Sequence, residues 1–295
     1  MKNLHIFAVF FCISFFAATL VFAEVSAPAP KVGDVYKLTL VTKESLKSPV
    51  SSGSSTSGKV LVKRVAGVRA DGVELVYDLP ESTKEQARER QWQFPVRVFQ
   101  PVDGPLQLLN GAELEARVDD WLVKFKIPRS ACGSTVFTWT AFDIECDPQS
   151  VLKAVGVFDM GVSRLYEGAI FQDKDALGTG KLAKKSTEQE KQVFTAEMPI
   201  NPDVVRRLRA ETDVKIGRMT NNPVTFETAM ARREKEKISG TVSFVFETDF
   251  SAKMQRRIKV TETQIMTPDG AVESSTRTDT LEHVLMEAPA EEKDE

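Results

Sequence analysis

The fold is decided by TVSFVFETD (residues 241–249), RRIKVTETQIM (residues 256–266) and VESSTRTDTLEHVL (residues 272–285). Each stretch alternates apolar with polar residues, which is the pattern of a β-strand with one buried face. Short turn-forming stretches, residues 250–253 and 267–270, separate the three. The sequence therefore predicts an antiparallel three-strand meander. Its expected buried face carries Val242, Phe244, Phe246, Ile258 and Val260.

Earlier parts of the chain show the same alternation. It predicts strands over residues 35–42, 59–66, 73–78, 92–99 and 191–200, with a hairpin turn at Asp71-Gly72. The Ser-rich run 48–58 is interpreted as a long flexible hairpin loop rather than a domain linker, because strand alternation resumes immediately after it. The charged, Gly-containing residues 173–190 are expected to be mobile.

Helices are predicted from apolar stripes and capping residues. Residues 112–125 form one stripe with Pro128 beyond its end, and further helices follow residues that favour helix starts. The fold class is therefore α+β and antiparallel β-rich: a long curved sheet with a C-terminal three-strand meander and several amphipathic helices packed on it. The predicted stripes and caps are Leu114, Val118, Trp121, Leu122 and Phe125 after Asn110; Val151, Leu152, Val155 and Phe158 after Asp147-Pro148; and starts at Asn201 and Thr225.

The first 23 residues have the pattern of a secretory signal peptide. Lys2 precedes an apolar stretch, and the small-residue site ends at Ala23, before Glu24. An uncleaved anchor is the alternative, because the apolar run is nearly long enough to span a bilayer. We expect an exported, periplasmic or secreted protein without a transmembrane segment after cleavage. Residues 24–286 are expected to form a single domain (sub-domains about 33–146 and 191–286 being the alternative), followed by a disordered acidic tail, residues 287–295.

Two cysteines remain after the leader. Cys132 and Cys146 are expected to form a disulfide, because exported proteins meet an oxidising compartment. A loop of about 15 residues contributes roughly 3 kcal/mol in a simple chain-entropy model. Between the cysteines, Phe137, Trp139 and Phe142 are candidates for an apolar-binding site, with packing in the protein core as the alternative.

Several chemistries are disfavoured by composition. Removing Lys2 from 39 basic residues leaves 38 against 42 acidic ones, a net charge of −4, which argues against a nucleic-acid binder. His283 is the only histidine after the leader, so the sequence predicts no metal site, no catalytic residue and no cofactor.

The carboxylate pairs at residues 119–120, 143/145 and 247/249 are equally eligible as acid–base pairs of a hydrolase. Basic clusters at 206–209, 232–233 and 256–257 are interpreted as solvated faces, with contact to an anionic lipid or envelope polymer as the alternative.

The leading interpretation is a non-enzymatic exported binding or envelope-assembly protein, whose partner is an apolar ligand or another envelope protein. A curved sheet covered by helices can enclose an apolar ligand, and the layout is compatible with that of envelope lipid carriers, by analogy alone. One alternative is a carboxylate-dependent hydrolase acting on a cell-envelope polymer. Another is a protein-interaction module that uses an exposed strand edge.

Overall fold

A computed structural model describes residues 25–26, 29–137, 141–162, 164–188, 191–249, 251 and 253–286. Helices within these residues are α1 (Glu85–Arg88), α2 (Gly111–Lys124), α3 (Ser150–Gly156), α4 (Pro202–Met219) and α5 (Phe226–Arg233), and a 3-10 turn covers Arg129–Ala131. The strands are β1 (Val25–Ser26), β2 (Val35–Lys47), β3 (Ser52–Arg69), β4 (Gly72–Asp78), β5 (Val96–Pro101), β6 (Gln107–Leu108), β7 (Thr135–Phe137), β8 (Ala141–Asp143), β9 (Arg164–Leu165), β10 (Ile170–Gln172), β11 (Thr179–Lys181), β12 (Ala183–Glu188), β13 (Lys191–Pro199), β14 (Lys237–Asp249), β15 (Met254–Met266) and β16 (Val272–Met286).

Ten of these strands form one antiparallel sheet, in the order β12-β13-β14-β15-β16-β2-β3-β4-β5-β6. The predicted meander is confirmed, since β14, β15 and β16 lie side by side. The last strand, β16, pairs along its length with β2, so early and late parts of the chain share one sheet. The predicted α+β, antiparallel β-rich class is therefore correct.

One face of this sheet, which we call the covered face, carries two buried clusters. The first lies on β2 to β5 and includes residues of α2 and α3, such as Leu114 and Val155. The second lies on β13 and β14 under residues 165–182, where the ring of Phe171 meets that of Phe244 edge-on at 4.6 Å. As predicted, Val242, Phe244 and Phe246 are in this core.

The Ser-rich run is a strand and not a flexible loop. A tight turn spans residues 48–51, where the amide of Ser48 donates to the Ser51 carbonyl at 2.8 Å. From Ser52 onward the chain pairs with β2 in register. The ladder needs only backbone groups, so a run without apolar side chains can still form a strand when its neighbour is in place.

Residues 173–190 were expected to be mobile, and the structure contradicts this for those it describes. β11 pairs with β10, and β12 pairs with β13 at one edge of the sheet. The charges of this segment are used in contacts with the sheet: Asp173 and Asp175 both bind the ammonium of Lys259.

The predicted helices are present, with differences at their starts. Asn201 and Thr225 cap α4 and α5 with their side chains, as predicted. Asn110 precedes α2 but its side chain accepts from the amide of Arg97 instead. The helix predicted at Asp147 begins at Ser150, because Asp147 forms a turn with the amide of Gln149. No helix in the described part of the chain is long and apolar enough to cross a membrane.

Candidate functional site

The cysteine segment has the predicted pairing. The sulfurs of Cys132 and Cys146 are 2.09 Å apart and the Cα atoms 5.6 Å apart, so the geometry is that of a disulfide. Within the loop that the disulfide closes, β7 and β8 pair as antiparallel strands, with Phe137 opposite Ala141. Phe142 is also in β8, whereas Trp139 lies outside the described residues. An apolar-binding site at Phe137, Trp139 and Phe142 therefore stays a prediction.

The covered face is polar between its two clusters. The carboxylate of Asp279 accepts from the Thr42 hydroxyl at 2.5 Å and pairs with Arg277 at 2.9 Å. Lys259, whose side chain is 9% exposed, pairs with two carboxylates. Where it is described, this part of the covered face thus offers charges, and the clusters beside it are filled by side chains. An apolar ligand would be poorly accommodated at this polar centre.

His283 also lies on this face, as a structural residue. It is 9% exposed, and its Nε2 lies 2.8 Å from the carbonyl oxygen of Phe158. Burial lowers the pKa of His283 to about 3, and the cation Lys63 adds to the shift. The ring is therefore neutral at pH 7 and donates to that carbonyl.

The opposite face of the sheet, which we call the outer face, is where two predicted core residues lie. Lys259 is the direct partner of Phe244, and directly opposed residues share a face, so Lys259 is on the covered face. Its neighbours Ile258 and Val260 therefore point the other way. The prediction that Ile258 and Val260 are buried beside Phe244 was wrong. Neither belongs to the described clusters, and both are half-buried.

Ile258 and Val260 lie in two adjacent rows of the outer face, and the row of Ile258 consists of β-branched residues from four strands. Ile258 is paired with Val245 on one side and with Thr280 on the other, and Thr280 is paired with Val41. Val260 is paired with Thr278 in the next row. Adjacent strands are about 4.8 Å apart, so the row is about 14 Å long. We call Val41, Val245, Ile258, Val260, Thr278 and Thr280 the outer trough.

Charged rows border the outer trough. On one side, Arg256 pairs with Glu247 at 3.4 Å and with Glu282 at 3.3 Å. On the other side Glu262 is exposed, and the exposed Lys43 stands at the end of the Val260–Thr278 row. Valine, isoleucine and threonine side chains are shorter than the arginine and glutamate side chains in the charged rows, which is the reason for calling these residues a trough. No described helix or loop side chain belongs to a cluster on this face.

The alternative sites are less well supported. Each carboxylate pair considered for acid–base work includes a member paired with a cation: Asp119 with Arg129, Asp143 with Lys215, and Glu247 with Arg256. The hydrogen bond from Lys215 lowers the pKa of Asp143, which makes it a poor proton donor at neutral pH. Among the described residues, no group of three His, Cys, Asp or Glu is placed to hold a metal ion.

The sheet edges have features that discourage strand addition. The outer strand β12 has a register shift between Lys184 and Ser186 and carries two lysines, and β6 at the other edge is two residues long. Bulges, charges and short length are the usual means of protecting an edge. The strand-edge alternative therefore draws little support from the described sheet.

Comparison with known proteins gives no family. No protein-family model and no curated protein matches the chain. A structure of lipovitellin, described in terms of lipid–protein interactions, has a TM-score of 0.41 and 8% identity over 89% of this chain and 26% of that chain. A hot dog fold protein of unknown function from Alicyclobacillus acidocaldarius has a TM-score of 0.11 and 10% identity, over 89% of this chain and 82% of its own. Both scores are below 0.5, so neither likeness supports a fold or a function here.

Proposed function

We propose that the protein is a non-enzymatic, exported binding protein that holds the hydrocarbon chain of an apolar ligand in the outer trough. The observation that carries the proposal is the row Val245–Ile258–Thr280–Val41, whose residues are half-buried and belong to neither described core cluster. A solvated sheet face normally carries polar residues, whereas here β-branched residues occupy adjacent positions on neighbouring strands, and three of the four in the row are valine or isoleucine.

A hydrocarbon chain fits this trough better than an extended peptide does. The backbone groups of the strands below are already paired in the sheet. A peptide crossing the row would therefore leave its own backbone N–H and C=O groups without partners against valine and isoleucine. A hydrocarbon chain needs no such partners. Covering about 150 Å² of apolar surface contributes roughly 4 kcal/mol, before the cost of ordering the ligand.

The charged residues beside the trough set the direction in which a bound hydrocarbon chain lies. Charges disfavour displacement of the hydrocarbon chain out of the trough along the strands, because an apolar chain lying over them would desolvate them. These charges are Arg256, held between Glu247 and Glu282, on one side and the exposed Glu262 on the other. The ligand axis would therefore cross the strands. A ligand with a polar end would place that end beyond the trough, in water.

Export is part of the same proposal. The leader pattern in residues 1–23 and the cysteine pair at disulfide geometry both fit a periplasmic or secreted protein. N-terminal sequencing of the exported protein tests this. A terminus at or near Glu24 supports the proposal, and an intact Met1 terminus in a membrane pellet contradicts it.

The ligand class is tested by purifying the chain without detergent and analysing a chloroform–methanol extract by mass spectrometry. A hydrocarbon-bearing compound recovered at about one per chain supports the proposal. A lipid-free protein that also fails to take up lipid from vesicles contradicts it. The same preparation, screened against peptidoglycan and glycosides, reports on the hydrolase alternative, and crosslinking in the envelope reports on the interaction-module alternative.

A further inference from the structure

The seven arginines of the predicted basic clusters differ in what they contact. Six of them have partners within the described chain. Arg232 is the exception, because it is exposed and has no ion pair or hydrogen bond among the described residues. The partnered six are Arg206 with Asp203, Arg207 with Glu211, Arg209 with Glu236 and Glu273, Arg233 with Asp213 and Glu236, Arg256 with Glu247 and Glu282, and Arg257 with the carbonyl of Asp159.

Arg232 lines a cleft of about 600 Å³ between α4, α5 and the β15–β16 turn. This volume is within the range of small-molecule sites. Lys235 also lines the cleft, is exposed, and has no described ion pair. Ile216, which is 52% exposed, and Pro268 supply apolar surface. The cleft thus combines two unpaired cations with a partly apolar wall.

The other charged residues that line the cleft form ion pairs with one another. Arg233 donates to both carboxylate oxygens of Asp213, at 2.6 and 2.8 Å, and to Glu236 at 2.6 Å. The hydrogen bond with Asp213 is the main cause that raises the pKa of Arg233, so this group stays charged. Three cations against two carboxylates leave the lining with one net positive charge.

We propose that this cleft is a binding site for an oxyanion, a phosphate or carboxylate group, which Arg232 and Lys235 hold. The guanidinium of Arg232 can donate two parallel hydrogen bonds to such a group, and Lys235 adds a point charge. The proposal is independent of the outer trough, which is on a different part of the molecule. The anion is either a free ion or the head group of an anionic lipid.

The test uses inorganic phosphate and vesicles in low salt. The double variant Arg232→Gln/Lys235→Gln is expected to weaken phosphate binding at least about tenfold, the loss of roughly 1.4 kcal/mol. Arg207→Gln is the control, because Arg207 is an exposed arginine of α4 that pairs with Glu211 outside the cleft. Vesicles of phosphatidylglycerol and of phosphatidylcholine are compared by flotation.

The outcomes distinguish a site for a free anion from a site for the head group of an anionic lipid. Phosphate binding without binding to phosphatidylglycerol vesicles supports a free-ion site. Binding to phosphatidylglycerol but not phosphatidylcholine vesicles, lost in the double variant, supports a head-group site. Equal weakening in the Arg207→Gln control, or no binding of either probe by the parent chain at millimolar phosphate, overturns the proposal. Circular dichroism checks that the variants, all at exposed positions, remain folded.

Discussion

The ammonium nitrogen of Lys259 lies 2.7 Å from a carboxylate oxygen of Asp173, a residue 86 positions earlier in the chain. The same nitrogen lies 2.5 Å from Asp175. This contact ties the segment before β11 to the centre of the sheet. It also explains how a lysine can occupy a position opposite Phe244 on the covered face.

Replacing Lys259 with methionine is expected to destabilise the protein by about 3 kcal/mol, because two partly buried carboxylates lose their counterion. Urea unfolding measures this change. The triple variant Lys259→Met/Asp173→Asn/Asp175→Asn should recover part of the stability, since no uncompensated charge remains. If the single and triple variants are equally destabilised, the loss comes from packing and the ion pairs are not its cause.

Cys132 and Cys146 are expected to be joined in the exported protein. Thiol counting under denaturing, non-reducing conditions should find no free thiol, whereas two free thiols per chain would contradict the pairing. Cys132→Ser/Cys146→Ser is expected to lower the free energy of unfolding by about 2–4 kcal/mol. A double variant that melts like the parent would show that the packing around the buried Cys146 holds this segment without the bond.

Protonation of His283 in the unfolded chain should make the protein less stable as the pH falls. The pKa of His283 is about 3 in the fold and near 6.5 in the unfolded chain, so the unfolded chain binds the proton first. Its contribution is fully present above pH 6.5 and is lost between pH 6.5 and 3, at up to about 1.4 kcal/mol per pH unit.

The matched variant is His283→Gln, whose amide can still donate to the Phe158 carbonyl but does not titrate. Between pH 6.5 and 4.5 it should lose about 2–3 kcal/mol less stability than the parent. Urea unfolding at the two pH values measures the difference. An unchanged pH dependence in the variant would mean that another group causes the acid sensitivity.

Gly217→Ala should disturb the helix pair around the cleft. A Cβ atom on Gly217 would lie 2.7 Å from the backbone oxygen of Asn222, so the turn after α4 must shift. We expect a loss of about 1–3 kcal/mol in thermal or urea unfolding. Gly156→Ala in α3 is the control, because a Cβ there meets nothing within 4 Å and should be neutral or slightly stabilising. Equal effects of the two changes would contradict close packing at Gly217.

The meander could be predicted because its strands alternate apolar and polar residues over long runs. The face of β15 that is buried could not be predicted, because this strand carries apolar residues at Ile258 and Val260 while the adjacent positions hold Arg257 and Lys259. Choosing the apolar set as buried was reasonable from the sequence. It failed because the counterions of Lys259 come from Asp173 and Asp175, which no local pattern connects to β15.

The outer trough was not predicted for a related reason. It exists because β16 pairs with β2, which places Val41 beside Thr280 although they are 239 residues apart. The available signal was that β2 has apolar residues at both alternating sets of positions, Leu38 and Leu40 on one face and Val41 on the other. A strand apolar on both faces indicates either a second covering layer or a binding surface.

The central claim is tested most directly by titrating the purified chain with N-phenyl-1-naphthylamine, a neutral apolar fluorophore that the cationic cleft does not attract. Two variants place a lysine on the same face of β15: Ile258→Lys within the trough, and Gln264→Lys at an exposed position beyond it. The account predicts saturable binding by the parent and by Gln264→Lys, and binding at least about tenfold weaker in Ile258→Lys, because a charge in the apolar row must be desolvated by the ligand. No saturable binding by the parent, or equal affinity in all three folded proteins, would contradict it.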